Sequence, residues 1–298
     1  MREVESLKFT PIIEISEGAT ITPASGVAQD FSNNKKVTYT VTAEDGTVKV
    51  YTAFVEGTRK VLKYSFEDWK EGSKNDELLP KDLWAGSAAG AGILGGTLLR
   101  KETREDGTYA AKLITFEYPN EPNSLVPKIT AGSIFIGKFD MMPALQGDRL
   151  SCTKFGLDAE TVSLGGKPLR FKGVYKYESG SNYLDASNYE DVKPVDIKDK
   201  GQIQAVLYKV QTGEDGKEIV LTGHDVNTSE LRVAVANIIV EDIKEYTPFN
   251  IEFEYLQEYD RNAKYKFAIV CSSSKDGDLF KGAGGSTLIV DEFEVICE

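Results

Sequence analysis

The sequence predicts an all-β protein in which a small Ig-like β-sandwich precedes a larger β-sandwich of the jelly-roll type. Three observations support this fold class. Apolar and polar residues alternate along most segments, as they do in half-buried strands. Turn residues separate these segments at short intervals. Convincing amphipathic helices are nearly absent, so the alternation of strands and helices that a parallel sheet requires is missing.

The N-terminal part has the pattern of β-hairpins. Residues 37–55, VTYTVTAEDGTVKVYTAFV, contain two alternating runs joined by the turn sequence EDG, which is a strong hairpin signal. The polar segment EGTRK at 56–60 then precedes a new strand, VLKYSFEDW. We therefore predict an Ig-like module at residues 1–58 and a second domain at residues 59–298.

The second domain repeats the strand pattern with longer segments. Turn sequences rich in proline, glycine, asparagine and aspartate separate them. The predicted strands are AAKLIT, SIFIGKF, PLRFKGVYKYE, IQAVLYKV, FNIEFEYL, KYKFAIVCS and STLIVDEFEV. One large antiparallel sandwich of jelly-roll type is the simplest account of this pattern.

The charge of the chain excludes some classes of partner. The net charge is -12, so contact with nucleic-acid phosphates or anionic lipid would be electrostatically opposed. We therefore expect no nucleic-acid partner. No apolar run approaches the roughly 18–20 residues that a membrane span needs. The first ten residues, MREVESLKFT, contain no apolar segment of a signal peptide, so we expect either a cytoplasmic protein or a mature chain whose export signal is removed.

Thiol and imidazole groups give little support for nucleophilic catalysis or a zinc site. Cys152, Cys271 and Cys297 are widely spaced and form no CxxC pair. The single histidine, His224, lies in the polar segment TGHDVNTS, which we interpret as a solvated loop.

Two tryptophans flank a polar segment and are candidates for contact with a ligand. Aromatic rings stack on the C–H faces of sugars, but they also anchor loops to a core. We expect Trp69, beside the first strand of the domain, to be structural. For Trp84, which lies among charged residues and glycines, both interpretations remain open.

Two strands present charged residues on one face. In PLRFKGVYKYE, Arg170, Lys172 and Glu178 lie opposite the apolar residues, and in FNIEFEY, Glu252 and Glu254 do so. If both faces belong to one concave sheet, these side chains would line a groove able to bind a polyhydroxylated ligand. Alternatively, they are the solvated faces of half-buried strands.

The carboxylates on these faces are also weak candidates for catalysis. Glu252 and Glu254 lie two residues apart, so their Cα atoms are roughly 6.5–7 Å apart. Glycoside hydrolysis uses two carboxyl groups about 5–5.5 Å apart for retention or about 6.5–9.5 Å apart for inversion, so the spacing permits this chemistry without indicating it. Glu178 is a further candidate acid.

One carboxylate lies within an apolar row. In LIVDEFEV at 288–295, strict alternation places Asp291 on the same face as Ile289, Phe293 and Val295. A charge facing the core needs a partner, either a hydrogen-bond donor or a metal ion.

Several motifs of the second domain, in this order, resemble one family. They are YSFEDW (64–69), ITAGSIFIGKF (129–139), GVYKY (173–177), CSSSKDG (271–277) and GSTLIVDEF (285–293). This part of the chain resembles the putative carbohydrate metabolism domain of gut Bacteroidetes proteins. The resemblance implies a jelly roll similar to carbohydrate-binding modules, with a carbohydrate as the partner. The segment LPKDLWAG departs from the Pro-x-Gly-Trp form associated with the family.

The N-terminal segment resembles the small Ig-like modules that precede such domains in secreted lipoproteins. The motifs are ITPASG (21–26), QDFS (29–32) and YTVTAEDG (39–46). This resemblance implies an exported, cell-surface lipoprotein that meets the membrane only through a lipid anchor, with a signal segment that precedes this chain.

The resemblance also suggests a structural metal. In carbohydrate-binding jelly rolls an early F-E and a late V-D often share a calcium ion, and Glu67 and Asp291 match these positions. Two carboxylates would supply only part of the six to eight oxygens that calcium takes. Otherwise, Asp291 would accept hydrogen bonds from backbone N–H groups or end the apolar row.

These observations lead to one preferred function and two alternatives. We expect a glycan-binding protein of the cell surface, in which the jelly-roll domain captures polysaccharide for metabolism. The Ig-like module would be a spacer that holds this domain off the cell surface. A glycoside hydrolase on the same sheet is the first alternative, and a structural, adhesin-like protein without a sugar site is the second.

Overall fold

The structure, a computed structural model, describes residues 8–31, 35–55, 60–91, 94–123 and 126–298. The chain divides into two compact units. The N-terminal unit is Met1–Arg59 together with Glu298, and the second unit is Lys60–Cys297. Within the described ranges, no helix has both the length and the apolar composition needed to cross a membrane.

The N-terminal unit consists of short antiparallel strands. Strands β1 and β3 pair with each other, and the order β2-β4-β5 forms a second sheet. The strands are β1 (Lys8–Phe9), β2 (Thr20–Thr22), β3 (Gln29–Asp30), β4 (Lys36–Thr42) and β5 (Val48–Phe54). The predicted hairpin is confirmed, since β4 and β5 pair from Lys36↔Phe54 to Thr42↔Val48 around the turn at Gly46, whose φ is +83°. Phe31 and Tyr39 are buried in this unit.

The second unit is also almost entirely β. Its strands are β6 (Lys60–Tyr64), β7 (Trp69–Lys70), β8 (Glu77–Leu78), β9 (Trp84–Gly86), β10 (Leu99–Thr103), β11 (Tyr109–Ile114), β12 (Phe116–Glu117), β13 (Ile129–Thr130), β14 (Ser133–Phe139), β15 (Thr153–Phe155), β16 (Leu157–Asp158), β17 (Pro168–Glu178), β18 (Tyr183–Asp185), β19 (Lys193–Val195), β20 (Gly201–Lys209), β21 (Leu221–Thr222), β22 (Arg232–Val240), β23 (Ile243–Glu252), β24 (Glu254–Tyr255), β25 (Tyr265–Ser272), β26 (Lys281–Ala283) and β27 (Thr287–Cys297). Two single-turn helices, α1 (Ala88–Ala91) and α2 (Met142–Leu145), and 3₁₀ turns at Leu150–Cys152 and Gly277–Leu279 interrupt them.

Two antiparallel sheets form the sandwich of this unit. The six-stranded sheet has the order β10-β11-β27-β17-β23, with β6 paired to β27. The nine-stranded sheet has the order β21-β15-β14-β25-β20-β22-β24, with β9 paired to β14 and β16 to β25. Side chains of both sheets share one core, for example Phe171 and Phe293 from the first, and Ile134, Leu207 and Phe267 from the second. The predicted all-β sandwich class is therefore confirmed.

The nine-stranded sheet is covered by apolar side chains on both faces. Along β20, Ile203, Ala205 and Leu207 enter the main core, whereas Val206 and Tyr208 point to the other face. There they join a second cluster, whose members are Phe135, Phe155, Val206, Tyr208, Leu221, Val226, Ala268 and Val270. Val226, in the loop after β21, packs onto this outer face, and the hydroxyl of Tyr208 donates to the Phe155 carbonyl at 2.6 Å. The outer face therefore has a packed floor on which a site can be built.

A β-bulge in the last strand corrects the prediction for Asp291. Between β17 and β27, Lys172 pairs with Glu294 and Val174 pairs with Asp291. Two residues of β27 therefore oppose one residue of β17. Glu292 lies in this bulge with φ +55°. Before the bulge Leu288 and Val290 face the core, and after it Phe293 and Val295 do. Asp291 and Ile289 therefore lie on the opposite face from Phe293. The prediction of a shared face is wrong because the bulge interrupts the strict alternation of side chains along the strand.

Candidate functional site

A cavity of about 200 Å³ opens on the outer face of the nine-stranded sheet. Strands β14, β20 and β25 form its floor, and the segment containing α2 and the 3₁₀ turn at Leu150–Cys152 forms one wall. The segment that contains the second 3₁₀ turn, Gly277–Leu279, forms another wall. A concave pocket of mainly apolar lining with a few polar groups is the usual form of a small-molecule site.

The floor of the cavity has one polar row and one row that combines polar and apolar side chains. Ser133 and Gln202 lie directly opposite Ser272, one on each neighbouring strand, and this forms a polar row across three strands. In the next row, Phe135 and Gln204 lie opposite Val270. Directly opposite residues of antiparallel strands share a face, so the two rows lie side by side.

The two glutamines are held in place by other amides. Gln204, which is 3% exposed, donates from Nε2 to Oδ1 of Asn227 at 3.1 Å. Gln202 donates in the same way to Asn237 at 3.0 Å. An amide side chain can both donate and accept, as can the hydroxyls of a polyol ligand. These residues therefore supply oriented hydrogen-bonding groups at the floor.

Arg149 and Phe280 form a cation–aromatic pair in the walls. The guanidinium of Arg149 lies 5.2 Å from the centre of the Phe280 ring and donates to the carbonyl of Asn123 at 2.9 Å. Burial lowers the pKa of Arg149, which nevertheless stays protonated because a guanidinium ionises only far above neutral pH. The pair presents a planar cation and an aromatic ring to the cavity.

Phe280 is held in an unfavourable backbone conformation. Its φ is +56°, in the left-handed region, at the end of the 3₁₀ turn Gly277–Leu279. Such a conformation costs a residue with a side chain about 1–2 kcal/mol and is found preferentially at binding sites. Gly277 permits the turn to approach the segment between β13 and β14, since a Cβ atom at this position would lie 2.3 Å from the Cβ of Ala131. The turn therefore fixes the Phe280 ring at the cavity.

One carboxylate lines the described part of the cavity. Burial raises the pKa of Asp278, although its carboxylate accepts a hydrogen bond from the Leu279 backbone N–H at 3.0 Å. The neighbouring Lys275, which also lines the cavity, pairs with Asp276 at 2.6 Å. Asp278 therefore has the environment of a carboxyl group that binds its proton more tightly than usual.

Trp84, expected as a possible sugar-stacking residue, is buried. Its indole is 6% exposed and packs on Tyr64 and Phe66 with ring centres 5.5 and 5.4 Å away. Trp69 donates from Nε1 to the Phe66 carbonyl at 2.6 Å and packs against the same core. The contacts of both rings are those of core residues.

Arg170 and Glu252 lie on the outer face of the six-stranded sheet and pair with each other. Arg170 donates from Nη1 to Glu252 at 2.9 Å and from Nε to Asn250 at 2.7 Å. Lys172 borders an open depression of about 620 Å³ next to them. The two sheets put this face on the opposite side of the sandwich from the cavity, because the shared core lies between them.

The two glutamates expected to act as a pair belong to different sheets. Glu252 ends β23 and pairs with Arg170 in the six-stranded sheet, whereas Glu254 begins β24 and pairs with Val235 in the nine-stranded sheet. The chain passes from one sheet to the other at Phe253, so the two carboxylates do not share a sheet face. Glu178 is exposed at the end of β17. Glu254 therefore lies on a different sheet from Glu252 and Glu178, so these three carboxylates do not line one groove.

The contacts of Asp291 and Glu67 give no support for calcium. Asp291, which is 2% exposed, forms an ion pair with Nη1 of Arg104, and the same nitrogen donates to Glu292 at 2.6 Å. The carboxylate of Glu67 accepts from the backbone N–H of Tyr109 at 3.2 Å. Among the described residues, no group of three or more histidine, cysteine, aspartate or glutamate side chains is placed to hold a metal ion. The buried charge that suggested a metal is compensated by a guanidinium.

One sequence signal for the cavity lies in the apolar pattern of two strands. The predicted strands IQAVLYKV and KYKFAIVCS carry apolar residues on both faces, which indicates that both faces of the sheet are covered. Gln202 and Gln204 interrupt the second apolar row. The walls, by contrast, come from loops distant in sequence, around Arg149 and Phe280, and no local pattern brings these together.

Comparison with known proteins identifies the family. Residues 37–296 match the model described as putative carbohydrate metabolism domain, and residues 3–55 match the model described as SGBP, N-terminal. A search of the curated proteins finds no relative of this chain.

Two solved structures are similar over most of their length. The first is a putative glycoside hydrolase from Bacteroides thetaiotaomicron VPI-5482, with 32% identity and a TM-score of 0.67 over 95% of this chain and 84% of that one. The second is a putative glycoside hydrolase from Bacteroides vulgatus ATCC 8482, with 28% identity and a TM-score of 0.65 over 80% of this chain and 98% of that one. The family expected from the motifs is thus confirmed, and the chain belongs to the putative carbohydrate metabolism domain family.

Proposed function

We propose that this protein binds a glycan in the cavity on the outer face of the nine-stranded sheet. The observation that carries the proposal is the combination of oriented amides, a guanidinium and an aromatic ring around one concave space. Sugars need both kinds of contact, since their hydroxyls exchange hydrogen bonds with polar groups and their C–H faces pack on rings. Membership of a carbohydrate-related family supports this proposal.

The proposed cellular role is capture of glycan at the surface of the cell. The match of residues 3–55 to an SGBP N-terminal model supports an exported, surface glycan-binding protein, with the N-terminal unit as a spacer. In this role the chain would hold polysaccharide for other proteins to process.

The number of carboxylates favours binding over hydrolysis. Most glycoside hydrolases use two carboxyl groups that flank the scissile bond. Among the described residues that line the cavity, Asp278 is the single carboxylate. The same residue is also the reason to keep glycoside hydrolysis as the second candidate, because a carboxyl group with a raised pKa suits a general acid.

A glycan array followed by calorimetric titration of the hits tests the binding proposal. Arg149→Ala should weaken affinity about tenfold or more, since a hydrogen bond from a charged group contributes about 1.5–3 kcal/mol. Gln202→Ala should weaken it several-fold. Lys193→Ala and Gln211→Ala, which remove an exposed cation and an exposed amide that do not line the cavity, are matched controls.

The outcome also distinguishes the two faces of the sandwich. If Arg170→Ala weakens binding while Arg149→Ala does not, the site lies on the six-stranded sheet and the cavity proposal is wrong. Incubation of each bound glycan with the protein, followed by chromatography, tests hydrolysis. Turnover that Asp278→Asn abolishes, with binding retained, would establish the second candidate.

A further inference from the structure

The cavity is more apolar than a site for an unsubstituted sugar requires. Apart from the polar row, its lining includes Phe139, Met141, Leu150, Phe155 and Val270. These residues come from the floor and from the wall that contains α2. The polar groups lie mainly on the floor, at Ser133, Gln202, Gln204 and Ser272, and in the turn after β25, while Arg149 adds a cation to the wall that contains α2.

The apolar side of the cavity is firmly packed. Phe155 and Val270 are 6% and 8% exposed and belong to the second apolar cluster, where Phe155 meets Phe135 edge-on at 4.8 Å. Phe139 and Met141 pack against the backbone at Gly90, where an added Cβ would lie 2.6 Å from the Phe139 ring and 3.1 Å from the Met141 sulfur. A ligand therefore meets a fixed apolar surface on this side.

An unsubstituted sugar ring can cover such a surface only with its C–H face. Each hydroxyl turned toward it would lose hydrogen bonds to water without replacement, and this is unfavourable. An acyl group has the opposite property, because its alkyl part gains from burial while its carbonyl oxygen accepts one hydrogen bond. Donors for that oxygen are Arg149, in the same wall as Met141, and the amides of Gln202 and Gln204 on the floor.

The size of the space agrees with a small ligand. A cavity of about 200 Å³ is smaller than the roughly 300–1,000 Å³ of sites for drug-sized molecules. It therefore suits one substituted sugar unit, with the rest of a polysaccharide outside.

We propose that the sugar unit bound in this cavity carries an acyl group, either an O-acyl ester or an N-acyl amide, whose alkyl part contacts Phe139 and Met141. This inference depends on the proposed function, since it specifies the glycan that the same cavity binds.

Matched glycans with and without the acyl group test the inference. One arm compares O-acetylated polysaccharides with the same preparations after mild alkali, which removes esters and leaves amides. A second arm compares oligosaccharides of N-acetylated amino sugars with their de-N-acetylated forms, measured in high salt because the free amine is charged. In one of the two arms, the acylated form should bind at least tenfold more tightly, and the arm in which it does identifies the linkage.

A variant pair connects the preference to the cavity. Met141→Gln keeps the length of the side chain but places an amide at the apolar wall, so it should reduce the acyl preference at least threefold. Met142→Gln, which changes the next residue, is the control because Met142 is 58% exposed and does not line the cavity. Thermal denaturation of both variants verifies that they fold.

The possible results separate this inference from the proposed function. If glycans bind equally well with and without acyl groups in both arms, the inference is wrong and the glycan-binding proposal stands. If an acyl preference exists but Met141→Gln leaves it unchanged, recognition occurs elsewhere and the inference is again wrong. If no glycan of either form binds, the proposed function and the inference both fail.

Discussion

Tyr64 provides the sharpest test of the packing described above. Its side chain is 8% exposed, and its hydroxyl is buried without a hydrogen-bond partner among the described residues. The ring itself packs well, edge-on to Trp84 at 5.5 Å. Burial accordingly raises the pKa of Tyr64 far above its usual value, with a smaller contribution from Cys297. Tyr64→Phe removes the hydroxyl and preserves the ring.

The expected sign is unusual for a core substitution. A buried polar group without a partner costs about 1–3 kcal/mol, and its removal leaves no other group unsatisfied. We therefore expect Tyr64→Phe to raise the free energy of unfolding by about 1 kcal/mol. For a unit of this size that corresponds to an increase in Tm of about 2–4 °C.

Tyr177→Phe is the matched control. Tyr177 is 2% exposed in the same core, but its hydroxyl donates to the Ser273 carbonyl at 3.0 Å. Removal of that hydroxyl should lower the free energy of unfolding by about 1 kcal/mol, the net contribution of a typical hydrogen bond. Calorimetry and urea denaturation of wild type and both variants measure the two effects. If Tyr64→Phe lowers Tm as much as Tyr177→Phe does, the Tyr64 hydroxyl has a hydrogen-bond partner and the predicted gain in stability is wrong.

Two ion pairs give further predictions. Arg104→Ala should lower the free energy of unfolding by about 3–5 kcal/mol, because it leaves the buried carboxylate of Asp291 without its cation. Chelation of divalent ions should leave the Tm of the wild type unchanged, and a lower Tm after chelation would instead support calcium at Asp291. In the pair between strands β18 and β26, the hydrogen bond from Lys281 lowers the pKa of Asp185 to about 2. Since the unfolded pKa is about 3.9, the stability from this pair is complete above about pH 4 and is lost as the pH falls toward about 2. Asp185→Asn should therefore lower the free energy of unfolding by up to about 1 kcal/mol at neutral pH, and the variant should lose less stability than the wild type between about pH 4 and pH 2. Urea denaturation across this pH range measures both effects. If the variant loses as much stability in acid as the wild type, this assignment is wrong.

The sequence was sufficient for the fold because strand chemistry is local. Alternation along residues 37–55 and the turn EDG specify the β4–β5 hairpin without reference to other parts of the chain. Similarly, Phe171 and Tyr177 alternate with Arg170 and Lys172 along β17, and the structure buries the first two. The all-β class and the inward face of β17 could be predicted for this reason.

The candidate site was less predictable because it depends on breaks in periodicity and on distant loops. Glu252 and Glu254 were expected to share a face, but the chain changes sheets between them, and no residue type marks that change. The cavity combines Arg149, Gln202 and Phe280, whose positions in the sequence carry no common pattern. Sequence periodicity describes one strand at a time and does not indicate which loops meet above a sheet.

The bulge at Glu292 has a consequence for the comparison of related sequences. A bulge adds one residue to a strand, so a relative with a regular last strand would lack one position here while its inward residues on both sides stay the same. Without a gap at that position, an alignment would match the outward Asp291 of one protein with a core residue of the other. The substitution would then look drastic, although the side chains at equivalent places in space are alike. Alignments of this family should therefore allow a one-residue gap beside Glu292 before substitutions at Asp291 are interpreted.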